Sequence, residues 1–306
     1  MSRALSILFV ALLAVSCLGR SERIKVDIDK ALKRQADVRK LYAEATEIPL
    51  HYPEGTTLGQ EGKVLLEVAA DRFFLLERDE ILVFNWAGDY VTSITSEEPI
   101  IDFSAYRDRV LDVLTSGSIT EYDIKDGALL KTYPIRDNDV HMTSVARVED
   151  DAFHMTGYQD GTAYDCGYLV DQARFYSGPR PAADYPVSHA YVPAAEMKTS
   201  RFFRCGEDVF NFCSRSGEID RYENYFICVP YQWDFGKRSL TFTNAQKTAD
   251  LIYLAFELDR KEYVLVYNLS NGKYNAVESK TFPLGVIYDG SNYYWDGRVI
   301  MRYTLR

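Results

Sequence analysis

A chain of 306 residues that is 47% apolar and 14% aromatic carries enough apolar surface for one or two packed domains, which excludes a disordered or low-complexity protein. The net charge is −10, and residues 48–306 hold 26 basic against 39 acidic side chains, a surface that repels polyanions and excludes nucleic acid as a partner. Twenty-three tyrosines and sixteen phenylalanines against ten prolines favour strands, because aromatic rings pack well on a pleated, half-buried surface; the expected class is all-β.

The chain opens with Arg3 and an apolar run from Ala4 to Val15, too short to span a bilayer comfortably and ending at Ser16-Cys17. This is a secretory signal. Leu13 to Cys17, LAVSC, resembles a bacterial lipobox, in which the cysteine is acylated and becomes the mature N-terminus; an ordinary signal peptide that happens to contain a cysteine is the alternative. Leu18 is not the aspartate that retains such proteins at the inner membrane, so an outer-membrane anchor facing the periplasm or the surface is expected, with the membrane as a partner through lipid. Ile24, Val26 and Ile28 then alternate with charged residues as in a strand, Asp29 to Ala45 suits a short helix capped by Asp29, and Ile48 to His51 suits an edge strand that tolerates Pro49. The expected organisation is a signal over 1–17, a tether with a strand and helix over 18–47, and a repeat domain over 48–306.

The clearest unit of that repeat is Asp71 to Ile94, which reads as strand, polar turn, strand, Gly-containing turn, strand. Comparable units begin near Arg72, Arg109, Ala152, Asp208, Leu251 and Asn292. A period of about forty residues is that of a β-propeller, and six units predict six blades. The C-terminal unit is short, so an N-terminal strand, either Ile24 to Ile28 or Glu47 to His51, is expected to close the ring and leave no open sheet edge. A two-sheet sandwich is the competing architecture.

These residues resemble the six-bladed β-propeller lipoproteins of the Gram-negative cell envelope. The resemblance rests on the lipobox, on I-x-V-D at Ile24 to Asp27 followed by a charged segment and I-P-L at Ile48 to Leu50, and on ILVFNWAGDYV at Ile81 to Val91. Members often carry a Gly-rich stretch after the first blade, and here Thr95 to Tyr106 has no glycine, which marks a divergent member. The resemblance implies a six-bladed, envelope-anchored ring.

Motifs for chemistry are sparse. G-x-S-x-G, H-E-x-x-H and phosphate-binding glycine motifs are absent, and no cofactor or metal is expected. His51, His141, His154 and His189 show no local metal-pair spacing, although His141 and His154 would meet if both lay at one end of their unit. Asp137-Asn138-Asp139 and Glu149-Asp150-Asp151 read as polar turns. Apart from Cys17, the cysteines Cys166, Cys205, Cys213 and Cys228 are an even number in an oxidising compartment and leave disulfides or buried thiols open. Tyr158, Tyr164, Tyr168, Tyr176, Tyr185 and Tyr191 fall where the repeat becomes irregular, between Tyr158 and Pro193, and are the candidate binding loop for an envelope protein or glycan. The expected function is a non-catalytic binding or scaffold propeller. The alternative is a hydrolase or lyase acting on a glycan or lactone in the central channel.

Overall fold

Arg72 to Glu77, RFFLLE, has no polar residue between its two ends, so it cannot be a strand with one wet face. Phe73 and Leu75 point into one core and Phe74 and Leu76 into another, and all four are buried. A strand with apolar matter on both faces lies in a sheet sandwiched between two others. The computed structural model shows this arrangement around the molecule; it describes residues 22–306 except 35–36, 55, 57–64, 78, 136–138, 161, 180–200, 206–207, 213–218, 225–226 and 237–239.

The strands form six sheets. Sheet I contains β3 (Leu65–Ala69), β4 (Arg72–Glu77), β5 (Glu80–Asn85) and β6 (Tyr90–Thr95). Sheet II contains β7 (Asp102–Tyr106), β8 (Val110–Leu114), β9 (Ser118–Asp123) and β10 (Leu129–Pro134). Sheet III contains β11 (His141–Glu149), β12 (Ala152–Gln159), β13 (Thr162–Leu169) and β14 (Arg174–Pro179). Sheet IV contains β15 (Arg201–Cys205), β16 (Asp208–Phe212), β17 (Ile219–Asn224) and β18 (Ile227–Asp234), with β1 (Glu22–Lys25) added parallel to β18. Sheet V contains β19 (Thr241–Lys247), β20 (Leu251–Leu258), β21 (Lys261–Asn268) and β22 (Tyr274–Glu278). Sheet VI contains β23 (Val286–Tyr288), β24 (Ser291–Trp295) and β25 (Val299–Leu305), with β2 (Tyr42–Pro49) antiparallel to β25.

The expected units of three strands are therefore corrected. Five sheets have four strands and the remaining one has five, because each unit includes an inner strand that precedes the expected start. These inner strands neighbour one another in chain order, and β23 returns to β3. Apolar cores fill the spaces between I and II, II and III, IV and V, V and VI, and VI and I. Polar links also join neighbouring sheets. Asp102 accepts the Val145 N–H at 3.0 Å, Asp108 accepts the Ala70 N–H at 2.8 Å, and Gln246 accepts the Ile287 N–H at 3.1 Å. Each satisfies a backbone donor that lies beyond the ladder of its own sheet.

Both N-terminal candidates for closure are used, in different sheets: β2 completes sheet VI and β1 extends sheet IV. The helix expected over Asp29 to Ala45 is shorter. α1 (Ile28–Lys33) is capped by Asp27, whose carboxylate accepts the Lys30 N–H at 3.0 Å, and a 3₁₀ turn at Val38–Lys40 leads into β2. Asp27 rather than Asp29 is the cap because Ile28 and Ala31, one turn apart, must both face the core between IV and V. No helix among the described residues is long and apolar enough to cross a membrane.

Candidate functional site

Among the described residues, a cleft opens between sheets V and VI. It encloses about 650 Å³. Sheet V contributes Lys261 and Glu262 from the start of β21 and Glu278 from the end of β22, followed by Ser279 and Lys280. Sheet VI contributes Glu47, Met301 and Tyr294, which lie side by side across β2, β25 and β24, with Tyr303 two residues beyond Met301 on the same face. Asp296 closes one end.

The floor of the cleft is fixed by its buried side. Phe282 is fully buried and packs on Tyr42 and Tyr303 at ring-centroid distances of 5.9 and 5.6 Å. The turn leading to it is held by the Thr281 and Phe282 N–H groups donating to the Glu278 carbonyl at 3.0 and 3.3 Å. Ser279 N–H donates to the Glu262 carbonyl at 2.9 Å, so the two strands carrying Glu262 and Glu278 cannot slide.

Charge is unevenly spread. Glu278 pairs with Lys280, which holds the Glu278 carboxyl below its ordinary range and the lysine above it; Lys261 adds to the first effect. The opposite wall is acidic and aromatic. Burial raises the Tyr294 phenol, and the nearby carboxylates Glu262 and Asp296 raise it further, so it is a neutral donor at physiological pH. Asp296 also accepts the Arg298 and Val299 N–H groups, both at 2.8 Å, which locks its rotamer. The cleft therefore offers fixed acceptors, two neutral tyrosine phenols with their rings, and two ammonium groups. That set suits a hydroxyl-rich ligand with apolar ring faces.

The tyrosines expected to form a binding loop are not brought together. Tyr158, Tyr164, Tyr168 and Tyr176 lie on the regular strands β12, β13 and β14, which corrects the irregular reading of that stretch, while Tyr185 and Tyr191 lie outside the described residues. Tyr164, Cys166 and Tyr168 alternate along one face of β13 into the core between II and III, where Tyr168 is buried against Tyr133 and Phe153. Tyr176 is exposed on β14 under the Arg174 guanidinium, 4.9 Å from the ring centre. Cys166 is a free, buried thiol pushed up to about 12 by burial and by Asp165. The side chains of Cys205, Cys213 and Cys228, and Cys17 itself, lie outside what the structure describes.

The described histidines do not converge. His51 is exposed and pairs with Asp89 at 2.8 Å, His141 sits opposite Tyr158, and His154 sits opposite Ala146 on the same strand pair; His189 lies outside the described residues. Among the described residues no group of three or more His, Cys, Asp or Glu side chains is arranged to hold a metal ion. Asp150-Asp151 forms the β11–β12 turn, and Asp150 accepts from Arg107 and from the Tyr106 hydroxyl, both at 2.8 Å. Asp137 and Asn138 lie outside the described residues.

No family model and no curated sequence matches the chain. Solved structures do. A protein of Bacteroides fragilis described as exported superposes with a TM-score of 0.63 at 12% identity, covering 94% of this chain and 98% of that one. Virginiamycin B lyase from Staphylococcus aureus superposes with a TM-score of 0.54 at 9% identity, covering 86% and 99%. A catalytically inactive form of that lyase with quinupristin gives 0.51 at 12% identity, covering 81% and 82%. At such identities the similarity establishes the fold. The chain is a β-propeller.

Proposed function

We propose that this chain is a lipid-anchored propeller of the cell envelope that binds a glycan, without transforming it, in the cleft between sheets V and VI. On this reading all six sheets are blades of one closed ring, and Cys17 is the acylated mature N-terminus. The observation that carries the binding site is the cleft itself: Tyr294 and Tyr303 on one wall, carboxylates and lysines held in place around them, and about 650 Å³ of open volume. Glu278, held ionised beside Lys280, accepts hydrogen bonds from ligand hydroxyls. The apolar leader ending at Cys17 and the fold shared with an exported protein support an envelope address.

Calorimetric titration of the full chain with solubilised envelope glycan fragments tests the site. Tyr294→Ala should weaken binding about tenfold or more, since a stacked aromatic contributes roughly 0.5–1.5 kcal/mol beyond its buried area. Tyr176→Ala, on sheet III, should leave binding unchanged. Equal affinity in Tyr294→Ala and the parent chain would remove the cleft as the site. Metabolic labelling with a palmitate analogue tests the anchor, because Cys17→Ala should lose the label.

A further inference from the structure

The segment between the anchor and the ring does not hang free. β1 is hydrogen-bonded along the outer edge of sheet IV, in register from Glu22 opposite Tyr231 to Lys25 opposite Asp234. Ile24, Val26, Ile28 and Ala31 are at most 4% exposed in the core between IV and V. α1 lies on β22, where the Asp27 N–H donates to the Tyr274 hydroxyl at 3.1 Å, and the chain then enters β2 at the edge of sheet VI. Residues 22–49 are thus a strap fastened round the rim of sheets IV, V and VI.

Three observations decide what this rim faces. Only residues 18–21 separate Cys17 from Glu22, a stretch that spans about 18 Å at most when fully extended. A chain of this length folds to a radius of gyration of about 19 Å, hence roughly 50 Å across, so the anchor cannot reach a membrane lying against the far side of the ring. The strap also carries the opposite charge to the body. The charge lies in residues 25–40, where Lys25, Lys30, Lys33, Arg34, Arg39 and Lys40 are exposed against Asp27, Asp29 and Asp37; β2 adds exposed Glu44 and Glu47, and residues 48–306 carry a net −13. Among the described residues the exposed large apolar side chains, Val91, Leu129, Leu130 and Tyr176, lie on the outer strands of sheets I, II and III.

We propose that the basic part of the strap, residues 25–40, lies against anionic lipid headgroups of the membrane that holds the anchor, so that the ring stands on the rim of sheets IV and V. Charges act on such a surface only within a screening length of about 8 Å at physiological salt, which places the strap in contact rather than at the end of an extended tether. The acidic body is held away from the membrane by the same field. This inference rests on the acylation of Cys17 in the proposed function.

Amide hydrogen exchange on the full lipidated chain, reconstituted in vesicles, tests it. Exchange across residues 25–40 should slow about fivefold or more in vesicles with about one-third phosphatidylglycerol compared with pure phosphatidylcholine, while exchange in β10 is unchanged. The variant Lys25→Glu, Lys30→Glu, Lys33→Glu, which leaves the buried residues of the strap intact, should abolish the difference. Equal exchange in the two vesicle types, or slowing in β10 instead of the strap, overturns the docking while the anchor stands. A parent chain that takes up no acyl label and does not float with vesicles overturns the anchor and the docking together, and that result is read before any exchange is measured.

Discussion

Arg147 is the side chain on which the contact between sheets II and III depends most. It leaves the inner strand β11 and is only 5% exposed. Its Nε and Nη2 donate to the two Asp112 carboxylate oxygens at 3.1 and 2.6 Å, Nη2 lies 3.0 Å from Glu121, and the guanidinium sits over Phe153 at 4.6 Å. Burial alone would pull its pKa down, but Asp112 and Glu121 more than offset this, so it stays charged. Removing one member of a buried pair strands the other, and Arg147→Ala should cost about 3–5 kcal/mol in denaturant unfolding. Replacing Arg147 and Asp112 together with Met and Leu should recover much of that loss, since a buried pair and a well-packed apolar patch are often near equal. His154 makes the converse prediction. Burial lowers its pKa to about 4, opposed only by Asp165, so the folded protein keeps it neutral while the unfolded chain begins to protonate near 6.5. The unfolded state therefore binds more protons between those values. Stability should fall by about 3 kcal/mol as pH drops from 6.5 to 4, and His154→Phe should flatten that slope in melts across the range.

At the scale of the element, the turn Ala87-Gly88-Asp89 does more than reverse the chain. Gly88 has φ +87°, and a Cβ there would sit 2.0 Å from the Pro49 carbonyl oxygen. Its own carbonyl accepts the His51 N–H at 2.8 Å, and Asp89 pairs with the His51 ring. The turn is where the end of β2 in sheet VI is pinned to sheet I. Gly88→Ala should destabilise by about 2 kcal/mol or more, whereas Gly236→Ala, at φ +69° with nothing within 4 Å, should cost about 1 kcal/mol; paired thermal melts would separate strain from crowding. How much of this was legible follows from burial. The second strand of every sheet was readable because β4 and β20 are apolar on both faces and stand out as runs. The inner strands were not, since β7 (DFSAY) and β19 (TFTNAQK) carry polar residues that link them to neighbouring sheets, and such residues read as loop. The first half of β2, Tyr42 to Ala45, reads as the end of a helix because five of the strand's eight residues in a row are exposed, which leaves no period-two signal.

At the scale of the molecule, the candidate site is assembled from parts that are unremarkable in sequence. Lys261 and Glu262 begin a hairpin strand, Asp296 sits in a turn, and Glu47 lies more than two hundred residues from either. No local pattern joins them; only the pairing of β2 with β25 and the abutment of sheets V and VI does. The tyrosine-rich stretch that drew attention was conspicuous for a different reason. Alternating Tyr164, Cys166 and Tyr168 is the pattern of a strand facing a core, and aromatic residues in a propeller serve mostly to fill the spaces between sheets.

The pairing of β2 with β25 also sets a clock. Tyr42 lies opposite Leu305 and Pro49 opposite Val299, so the last sheet joins an early strand to the C-terminal one. During synthesis β2 emerges early and must wait, unpaired, until the C-terminal strands arrive. Such distant pairings carry the full entropic cost of loop closure before any contact rewards it. For most of its emergence the chain is thus an open arc with an adhesive edge at each end. Sealing it is the final act of folding, and the period before that act is when the protein is most exposed to misassembly with its neighbours.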